Sequence, residues 1–531
     1  MNACTFRGLL LGLTAMLFAS TASAKTLVYC TEGSPENFNP QINTTGTSLN
    51  ASRTVFNRLV DFEPGSTKIR PSLAESWDIS PDGLVYTFHL RKNVPFQTTK
   101  YFKPSRTLNA DDVLETFNRM WKKDHPYYTV SGGAYYFFND MGFPDLIKSI
   151  EKTDDNTVKF TLNKPDATFL ASIGMTFASI HSKEYMDAML AAGTPTQVDQ
   201  MPVGTGPFKF LNYQKDATIR YEANPDYYRG KPKLDRLVFT IIPDATVRMA
   251  KVQAGECDIA PYPNPADIPN LKKDPNIVVH EQEGLNLGYV AFNTSKKPFD
   301  DKRVRQALIM AVDREAILKA VFRDAGTLAT NPIPPTIWSF NKAIKPYPYD
   351  VEKAKNLLKE AGVDKLSVDL WAMPVTRPYN PDARKLAEMM QADFAKVGVT
   401  VDIKSYEWGE YRKRLQAGEH TLGQYGWIGD NGDPDNFMYV NLSCENARPG
   451  GQNLARWCNQ EYSDLVAKAK TISDVAERTK LYERAQEIFH EEAPWLPTAY
   501  GFIYIVTNKK VKNYSIHPLS NAIFEDVDIE E

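Results

Sequence analysis

The sequence predicts an α/β protein of several domains, and three observations support this class. The chain has 531 residues, whereas an average domain has roughly 150. Strand-like and helix-like segments alternate between residues 366 and 427, which is typical of a largely parallel sheet with crossover helices. Before residue 285 the pattern instead favours strands, because apolar side chains recur at every second position.

The strands of the first half are indicated by this alternation and by the turns beside them. We expect strands at residues 25–30, 85–90, 157–162, 217–223 and 236–242. The second and third of these follow the turn dipeptides Asp82-Gly83 and Asp155-Asn156. Residues 66–200 therefore resemble a strand-rich module.

Helices and strands alternate in the second half. Asp301 is suited to cap a helix that continues to about Val321, and Asp350 is suited to cap another that Gly362 ends. Further strands are expected at residues 366–371, 399–406 and 421–427, with helices at 381–397, 408–415 and from Ser473 or Asp474 to about Glu491. A last strand at residues 498–506 should return the chain toward the first half.

Composition and charge exclude several classes of protein. Apolar residues make up 42% and charged residues 24%, which is ordinary for a soluble globular protein. The balance of 62 basic and 65 acidic residues gives a net charge of -3, and a dedicated nucleic-acid binder would need a basic surface instead. After the N-terminal segment, no apolar run approaches the roughly 18 residues of a membrane span.

The first 24 residues have the features of a secretory signal peptide. Arg7 supplies the positive charge, residues 9–18 form a short apolar run, and Ala22-Ser23-Ala24 fits a small-residue cleavage site. A membrane anchor is the alternative, although the run is too short to span a bilayer. Lipidation is not expected, because no Cys follows the cleavage site directly. The mature chain should therefore enter an oxidising compartment.

Four cysteines remain after this cleavage. An even number in a secreted chain favours disulfides, for which three pairings are possible. Cys444 and Cys458 form the natural local pair, which leaves Cys30 and Cys257 as a long-range pair. A zinc site is the alternative, but no Cys-x-x-Cys spacing exists and the seven His are scattered. We therefore expect no bound metal.

Two loops that follow predicted strands carry the candidate ligand-binding residues. Ligands bind beyond the carboxyl ends of strands in open α/β sheets. One such loop contains Arg377 and Tyr379, and the other contains Trp427 and Asp430. A fixed cation and a fixed anion in one cleft would suit a zwitterion such as a short peptide. The alternatives are a surface ion pair for Arg377, turn chemistry for the acidic loop, and core positions for Trp427 and Trp408.

Motifs of catalysis are missing from the sequence. We find no Gly-x-Ser-x-Gly, Walker, His-Glu-x-x-His or Gly-x-Gly-x-x-Gly motif. Pairs such as Glu407 and Glu410 could serve a glycosidase, but they are interpreted as solvated residues. A binding protein without a cofactor is therefore favoured over a secreted hydrolase, which stays the alternative from a different class.

Several segments resemble one protein family over essentially the whole mature chain. They are residues 25–36 (KTLVYCTEGSPE), 73–77 (LAESW), 86–91 (YTFHLR), 204–208 (GTGPF), 261–266 (PYPNPA), 303–307 (RVRQA), 377–381 (RPYNP) and 426–437 (GWIGDNGDPDNF). The chain resembles the solute-binding proteins of bacterial ABC peptide importers, and within this family it is most similar to the dipeptide-binding branch.

The resemblance implies a two-lobed periplasmic-binding-protein fold of the peptide-binding class, with two crossing strands as the hinge. The first lobe would comprise residues 25–284 and 503–531 and would include an extra strand-rich subdomain at about 64–197. The second lobe would comprise residues 285–502.

The resemblance also assigns roles to individual residues. Asp430 would hold the peptide ammonium and Arg377 the carboxylate, while Thr44, Thr45 and Gly46 would lie beside the peptide backbone. Tyr379, Gly426 and Trp427 would line the cleft. The two disulfides of the family match Cys30–Cys257 and Cys444–Cys458.

The implied function is a periplasmic receptor that closes on dipeptides, with tripeptides as the next ligands to consider. It would deliver them to an inner-membrane permease, and a chemoreceptor is an additional partner that the family allows. We expect a monomer that does not bind nucleic acid. The alternative within the family is a protein tuned to haem, δ-aminolevulinate or a peptide antibiotic.

Overall fold

The computed structural model describes residues 24–323 and 325–530. The predicted signal peptide therefore lies outside the described residues, apart from Ala24. None of the helices in these ranges combines the length and the apolar character that crossing a bilayer requires.

Strands form three larger sheets and two short pairs in the described chain. The strands are β1 (Thr26–Thr31), β2 (Val60–Phe62), β3 (Ile69–Pro71), β4 (Ala74–Ile79), β5 (Val85–Leu90), β6 (Ile147–Asp154), β7 (Thr157–Leu162), β8 (Phe208–Gln214), β9 (Thr218–Ala223), β10 (Arg236–Ile241), β11 (Ile259–Pro261), β12 (Ile277–Glu283), β13 (Asn286–Phe292), β14 (Gly326–Leu328), β15 (Leu366–Trp371), β16 (Val399–Lys404), β17 (Leu422–Ile428), β18 (Trp495–Pro497), β19 (Ala499–Asn508), β20 (Val511–Lys512) and β21 (Asp528–Ile529).

Helices surround these sheets. They are α1 (Gly46–Arg53), α2 (Ala110–Trp121), α3 (Tyr136–Asp140), α4 (Phe143–Leu146), α5 (Phe169–Ile173), α6 (Lys183–Ala191), α7 (Gln197–Gln200), α8 (Ala245–Gln253), α9 (Ile268–Leu271), α10 (Lys302–Ala311), α11 (Arg314–Ile317), α12 (Val351–Glu360), α13 (Ala383–Ala395), α14 (Trp408–Ala417), α15 (Asp435–Leu442), α16 (Gln460–Lys470) and α17 (Val475–Glu492). A π-helical turn follows α11 at Leu318–Phe322.

The first large sheet has the strand order β12-β19-β11-β1-β10-β9-β8, and β14 pairs with β19. Strand β1 lies at its centre, parallel to β10 and β11. Leu27, Phe239 and Ile503 are buried together against it. The strand expected at residues 498–506 is β19, and it lies in this sheet, so the end of the chain returns to its beginning.

The second large sheet has the order β16-β15-β17-β13-β18. Strand β15 is parallel to both β16 and β17, as the alternation of strands and helices predicts. Strand β13 completes the sheet by pairing antiparallel with both β17 and β18. The chain therefore passes between the two sheets at β12–β13 and again at β18–β19.

A four-stranded antiparallel sheet, β4-β5-β7-β6, forms part of the first half. Strands β5 and β7 have the predicted bounds and bury every second side chain. Phe160 of β7 packs edge-on against Phe117 of α2, with ring centroids 5.0 Å apart. This contact covers the apolar face of the sheet with the apolar face of a helix.

The helix expected from Asp301 to about Val321 is interrupted. Asp301 caps α10 as predicted, but the helix ends at Ala311. The side chain of Asp313 accepts a hydrogen bond from the Ala316 N–H and starts α11, so a second cap replaces the helical turn that would have continued.

Two disulfides hold distant and local segments together. Cys30 at the end of β1 is bonded to Cys257, and Cys444 is bonded to Cys458. The zinc alternative is therefore wrong, since all four cysteines of the described chain are used.

Candidate functional site

A cavity of about 630 Å³ is lined by α1, by strand β17, by loops that follow strands of both large sheets, and by residues 519–521. All eight residues predicted to bind ligand line it: Thr44, Thr45, Gly46, Arg377, Tyr379, Gly426, Trp427 and Asp430. Its other lining residues, which the sequence did not single out as ligand-binding, are Leu49, Asn50, Tyr262, Trp408, Tyr425, Ile428, Leu519, Ser520 and Asn521.

Helix α1 positions the first wall of the cavity. The side chain of Thr45 caps the helix by accepting a hydrogen bond from the Ser48 N–H. The hydroxyl of Thr44 accepts a hydrogen bond from Arg412 of α14, and the same guanidinium lies 2.9 Å from the Glu36 carboxylate. Arg412 thus joins α14 to the segment that begins α1.

Arg377 lies in a tight turn after β15. Its backbone N–H and C=O are both paired with Asn380, at 3.1 and 3.0 Å. Arg377 is only 5% exposed, and its Nη1 lies 3.1 Å from Oε1 of Glu32, which is buried beside β1. It also stacks over the ring of Trp408 at 5.4 Å, a cation–π contact.

Glu32 is a site residue that sequence reasoning missed. Its carboxylate accepts hydrogen bonds from the hydroxyls of Thr47 at 2.6 Å and Thr31 at 3.0 Å, besides that from Arg377. Burial by itself would raise the pKa of Glu32, but the Arg377 guanidinium and the Thr47 hydroxyl outweigh burial and lower it. Correspondingly, Glu32 overcomes the effect of burial on Arg377 and raises the pKa of Arg377.

Asp430 differs from Arg377 because one of its carboxylate oxygens lacks a partner among the described residues. Its backbone N–H donates to Oδ1 of Asn436 at 2.9 Å, and the same oxygen accepts from Trp427 Nε1 at 2.9 Å. Its carboxylate atom Oδ2 is buried and has no hydrogen-bond partner among the described residues. Burial raises the pKa of Asp430 to about 7, although Asn436 and Arg53 oppose this shift. A buried carboxylate oxygen without a hydrogen-bond partner is unfavourable, and a cationic ligand group would satisfy it.

Two paired glycines make room for Tyr379. Gly288 of β13 and Gly426 of β17 face each other in the strand ladder. A Cβ atom on Gly426 would overlap the ring of Tyr379, and one on Gly288 would overlap its carbonyl oxygen. The turn that carries Arg377 therefore packs directly onto the backbone of the second sheet.

The fold and this site together suit a protein that binds a small ligand. The space for a small ligand is bordered by a buried cation with an internal counter-ion and by aromatic walls. It is also bordered by a carboxylate oxygen that has no hydrogen-bond partner among the described residues. The described residues contain no cluster of His, Cys, Asp and Glu suited to a metal ion.

The sequence profile of the bacterial extracellular solute-binding proteins, family 5 Middle, matches residues 68–449. The chain belongs to this family, so the resemblance seen in the sequence motifs is confirmed. The two-lobed α/β fold class is confirmed as well, because solved structures of the family match almost the whole chain.

Three relatives illustrate the similarity. The dipeptide-binding protein of Escherichia coli (strain K12) is 53% identical over 98% of this chain and 97% of its own. Heme-binding protein A of Haemophilus influenzae is 51% identical over 97% of this chain and 94% of its own. The crystal structure of the dipeptide-binding protein from Pseudoalteromonas sp. SM9913 in complex with Met-Leu is 39% identical, with a TM-score of 0.92, and covers 95% of this chain and 100% of its own.

Proposed function

We propose that this protein binds dipeptides in the 630 Å³ cavity and delivers them to an inner-membrane ABC permease. The observation that carries the proposal is the buried Oδ2 of Asp430, which has no hydrogen-bond partner among the described residues and lies in the same cavity as the Arg377 guanidinium. Opposite charges on separate segments fit the two ends of a short zwitterion. The names of the E. coli and Pseudoalteromonas relatives support the same ligand class.

The roles proposed for the eight residues are those that the family resemblance implies, and the chemistry of the side chains fits them. Asp430 receives the ammonium group, and Arg377 shares its guanidinium between Glu32 and the ligand carboxylate. Thr44, Thr45 and Gly46 contribute backbone groups beside the peptide, which recognise any sequence. Tyr379, Gly426 and Trp427 form walls. Two charges at a fixed separation would select ligands by length, which favours dipeptides, with tripeptides as the next ligands to consider.

The proposed lobes comprise residues 25–284 with 503–531, including the subdomain at about 64–197, and residues 285–502. The passages at β12–β13 and β18–β19 support two crossing strands as the hinge. A ligand that contacts both lobes stabilises the closed arrangement by binding it better than the open one.

The cellular setting is proposed on the same basis. A signal peptide cleaved after Ala24, without lipidation, would release a monomer into the periplasm, where the two disulfides can form. The permease is the expected partner, and a chemoreceptor is an additional one. We propose no catalytic activity, no cofactor and no nucleic-acid binding.

Calorimetric titration with dialanine, followed by mass analysis of the recovered ligand, tests this proposal. We expect saturable binding at one site and intact dialanine, and we expect Asp430→Ala to weaken binding strongly. Free alanine among the products would support the hydrolase instead, and undiminished binding by Asp430→Ala would contradict the assigned ammonium site.

A haem-binding function is the second candidate, because Heme-binding protein A is 51% identical to this chain. The cavity lining offers Tyr262, Tyr379 and Tyr425 as iron ligands of a known type. The paired charges of the site favour a small zwitterion over haem. Titration with haemin, monitored by its absorption spectrum, tests whether this protein binds haem. If haem occupies this cavity, dialanine should compete with it. If haem binds elsewhere, dialanine should not displace it.

A further inference from the structure

A second cavity, with a volume of about 440 Å³, lies beyond the C-terminal end of α1. Its walls come from the end of α1 and the residues after it, from the hairpin of β2 and β3, and from a C-terminal segment. The lining residues are Arg53, Thr54, Phe56, Asn57, Arg58, Asp61, Arg70, Pro207, Phe208, Ala522, Ile523, Phe524 and Glu525. None of them lines the cavity that contains Arg377 and Asp430.

Positive charge exceeds negative charge in this second cavity. Arg53, Arg58 and Arg70 line it with only Asp61 and Glu525 as acids. Arg58 is hydrogen-bonded to Asp61, while Nη2 of Arg70 lies 3.5 Å from Asp61 and 3.7 Å from Glu525.

The charged groups around the second cavity do not remove its excess of positive charge. Arg229 adds a fourth guanidinium, 3.4 Å from Glu525 and 4.0 Å from Asp61. His517 lies nearby, but burial lowers its pKa to about 4, so it is neutral at pH 7. Asp430 also attracts Arg53 from the neighbouring cavity. Four guanidinium groups therefore share two carboxylates, with Asp430 as a distant third.

Several N–H groups of these arginines are buried and unpaired. Nε of Arg53, Nε and Nη1 of Arg58, and Nε of Arg70 have no hydrogen-bond partner among the described residues. Arg58 is only 3% exposed, so water at the surface does not satisfy it. Burial, and after it the neighbouring Arg58, lower the pKa of Arg53 to about 9, although Asp61 and Asp430 partly oppose this shift. Unpaired buried donors and like charges are both unfavourable, and one anion would relieve both.

We propose that this arginine-lined cavity is a binding site for a small oxyanion, such as inorganic phosphate, sulfate or a carboxylate. Guanidinium groups match the oxygens of such anions through charge-assisted hydrogen bonds. Donors from three different residues suit an anion with several oxygens better than a spherical halide. The side chains of Arg70 and Glu525 are 26% and 18% exposed, so the cavity has access to solvent at their side.

Calorimetric titration of the full mature protein with inorganic phosphate tests the proposal. Chloride concentration and ionic strength are held constant, and each titration is run with and without saturating dialanine. We expect one phosphate site that is present under both conditions, because it shares no lining residue with the peptide cavity. This result does not depend on whether dialanine itself binds, so it is independent of the proposed peptide function.

Three variants locate the site. Arg70→Gln removes a partly exposed guanidinium and should weaken phosphate binding by roughly tenfold or more, the usual effect of losing a charge-assisted hydrogen bond. Arg384→Gln, which removes an exposed arginine paired with Glu388, is the matched control and should have no effect. Arg377→Gln should also preserve phosphate binding. The melting temperature of each variant without phosphate verifies that it folds.

The proposal is overturned if millimolar phosphate produces no specific heat, or if Arg70→Gln binds phosphate as well as the wild type. It is also overturned if Arg377→Gln or dialanine abolishes binding, because the anion would then occupy the peptide cavity.

Discussion

Two residues of opposite charge, Arg377 and Asp430, differ in what the protein itself provides for them. Arg377 has a buried counter-ion in Glu32, 3.1 Å away, whereas Oδ2 of Asp430 has no hydrogen-bond partner among the described residues. The charged state of Arg377 is thereby stabilised before ligand binds. Asp430 is held near its titration midpoint at neutral pH. The ammonium end of a ligand should therefore contribute the larger electrostatic change on binding.

At the residue scale, the raised pKa of Asp430 predicts that ligand binding releases a proton. The pKa of Asp430 is raised to about 7 without ligand, and an adjacent ammonium would lower it again. Binding near pH 7 should therefore release about half a proton, and affinity should fall as the pH decreases below 7, because the carboxylate must first lose its proton. Titrations in two buffers of different ionisation enthalpy measure this number. Asp430→Asn should release none, and an equal release by wild type and variant would assign the proton to another group.

Removal of the Glu32 charge is the second test at this scale. Glu32→Gln leaves the buried guanidinium of Arg377 without its counter-ion, which should cost about 3 kcal/mol of unfolding free energy. A ligand carboxylate can replace the missing charge, so dialanine should raise the melting temperature of Glu32→Gln more than that of the wild type. Thermal unfolding with and without dialanine measures both effects. A smaller shift in the variant would show that Glu32 does not compete for Arg377.

Sequence reasoning could identify Arg377 and Asp430 but not their partners. Both residues lie in loops that follow predicted strands, and their surroundings match the family motifs. Glu32 lies 345 positions from Arg377 in sequence, and Arg412 lies 376 positions from Glu36. Such pairs depend on how distant segments pack, and no local pattern reports this.

At the scale of elements, local signals predicted strands and caps well. Strands β5, β7 and β15 have the expected bounds, because alternation and flanking turns define them within a few residues. The expected helix after Asp301 is too long, because Asp313 competes as a second cap within it. The antiparallel strands β13 and β18 were not predicted, since their sheet partners are remote in sequence.

The glycines beneath Tyr379 provide the prediction at this scale. Gly426→Ala places a methyl group into the Tyr379 ring, so it should lower the melting temperature and weaken dialanine binding. Gly46→Ala is the matched control for stability, because a Cβ there would have no atom within 4 Å. Thermal unfolding without ligand compares the two. Equal stability of both variants would mean that the Tyr379 turn can shift without cost.

At the scale of the whole molecule, ion pairs join segments that are far apart in sequence. Glu32–Arg377, Glu36–Arg412 and Asp140–Arg448 each connect the first half of the chain to the second. The first two lie at or beside the peptide cavity, so ligand binding and the packing of the two halves involve the same residues.

The central claim is that Asp430 binds the free amino group of a dipeptide, and a calorimetric double-mutant cycle tests it most directly. Dialanine and N-acetyl-dialanine are titrated into wild type and Asp430→Asn. Loss of a buried charge pair typically costs at least about 2 kcal/mol, so acetylation should weaken wild-type binding by roughly 30-fold or more. The same acetylation should change the affinity of Asp430→Asn only slightly. An equal loss in both proteins would contradict the claim.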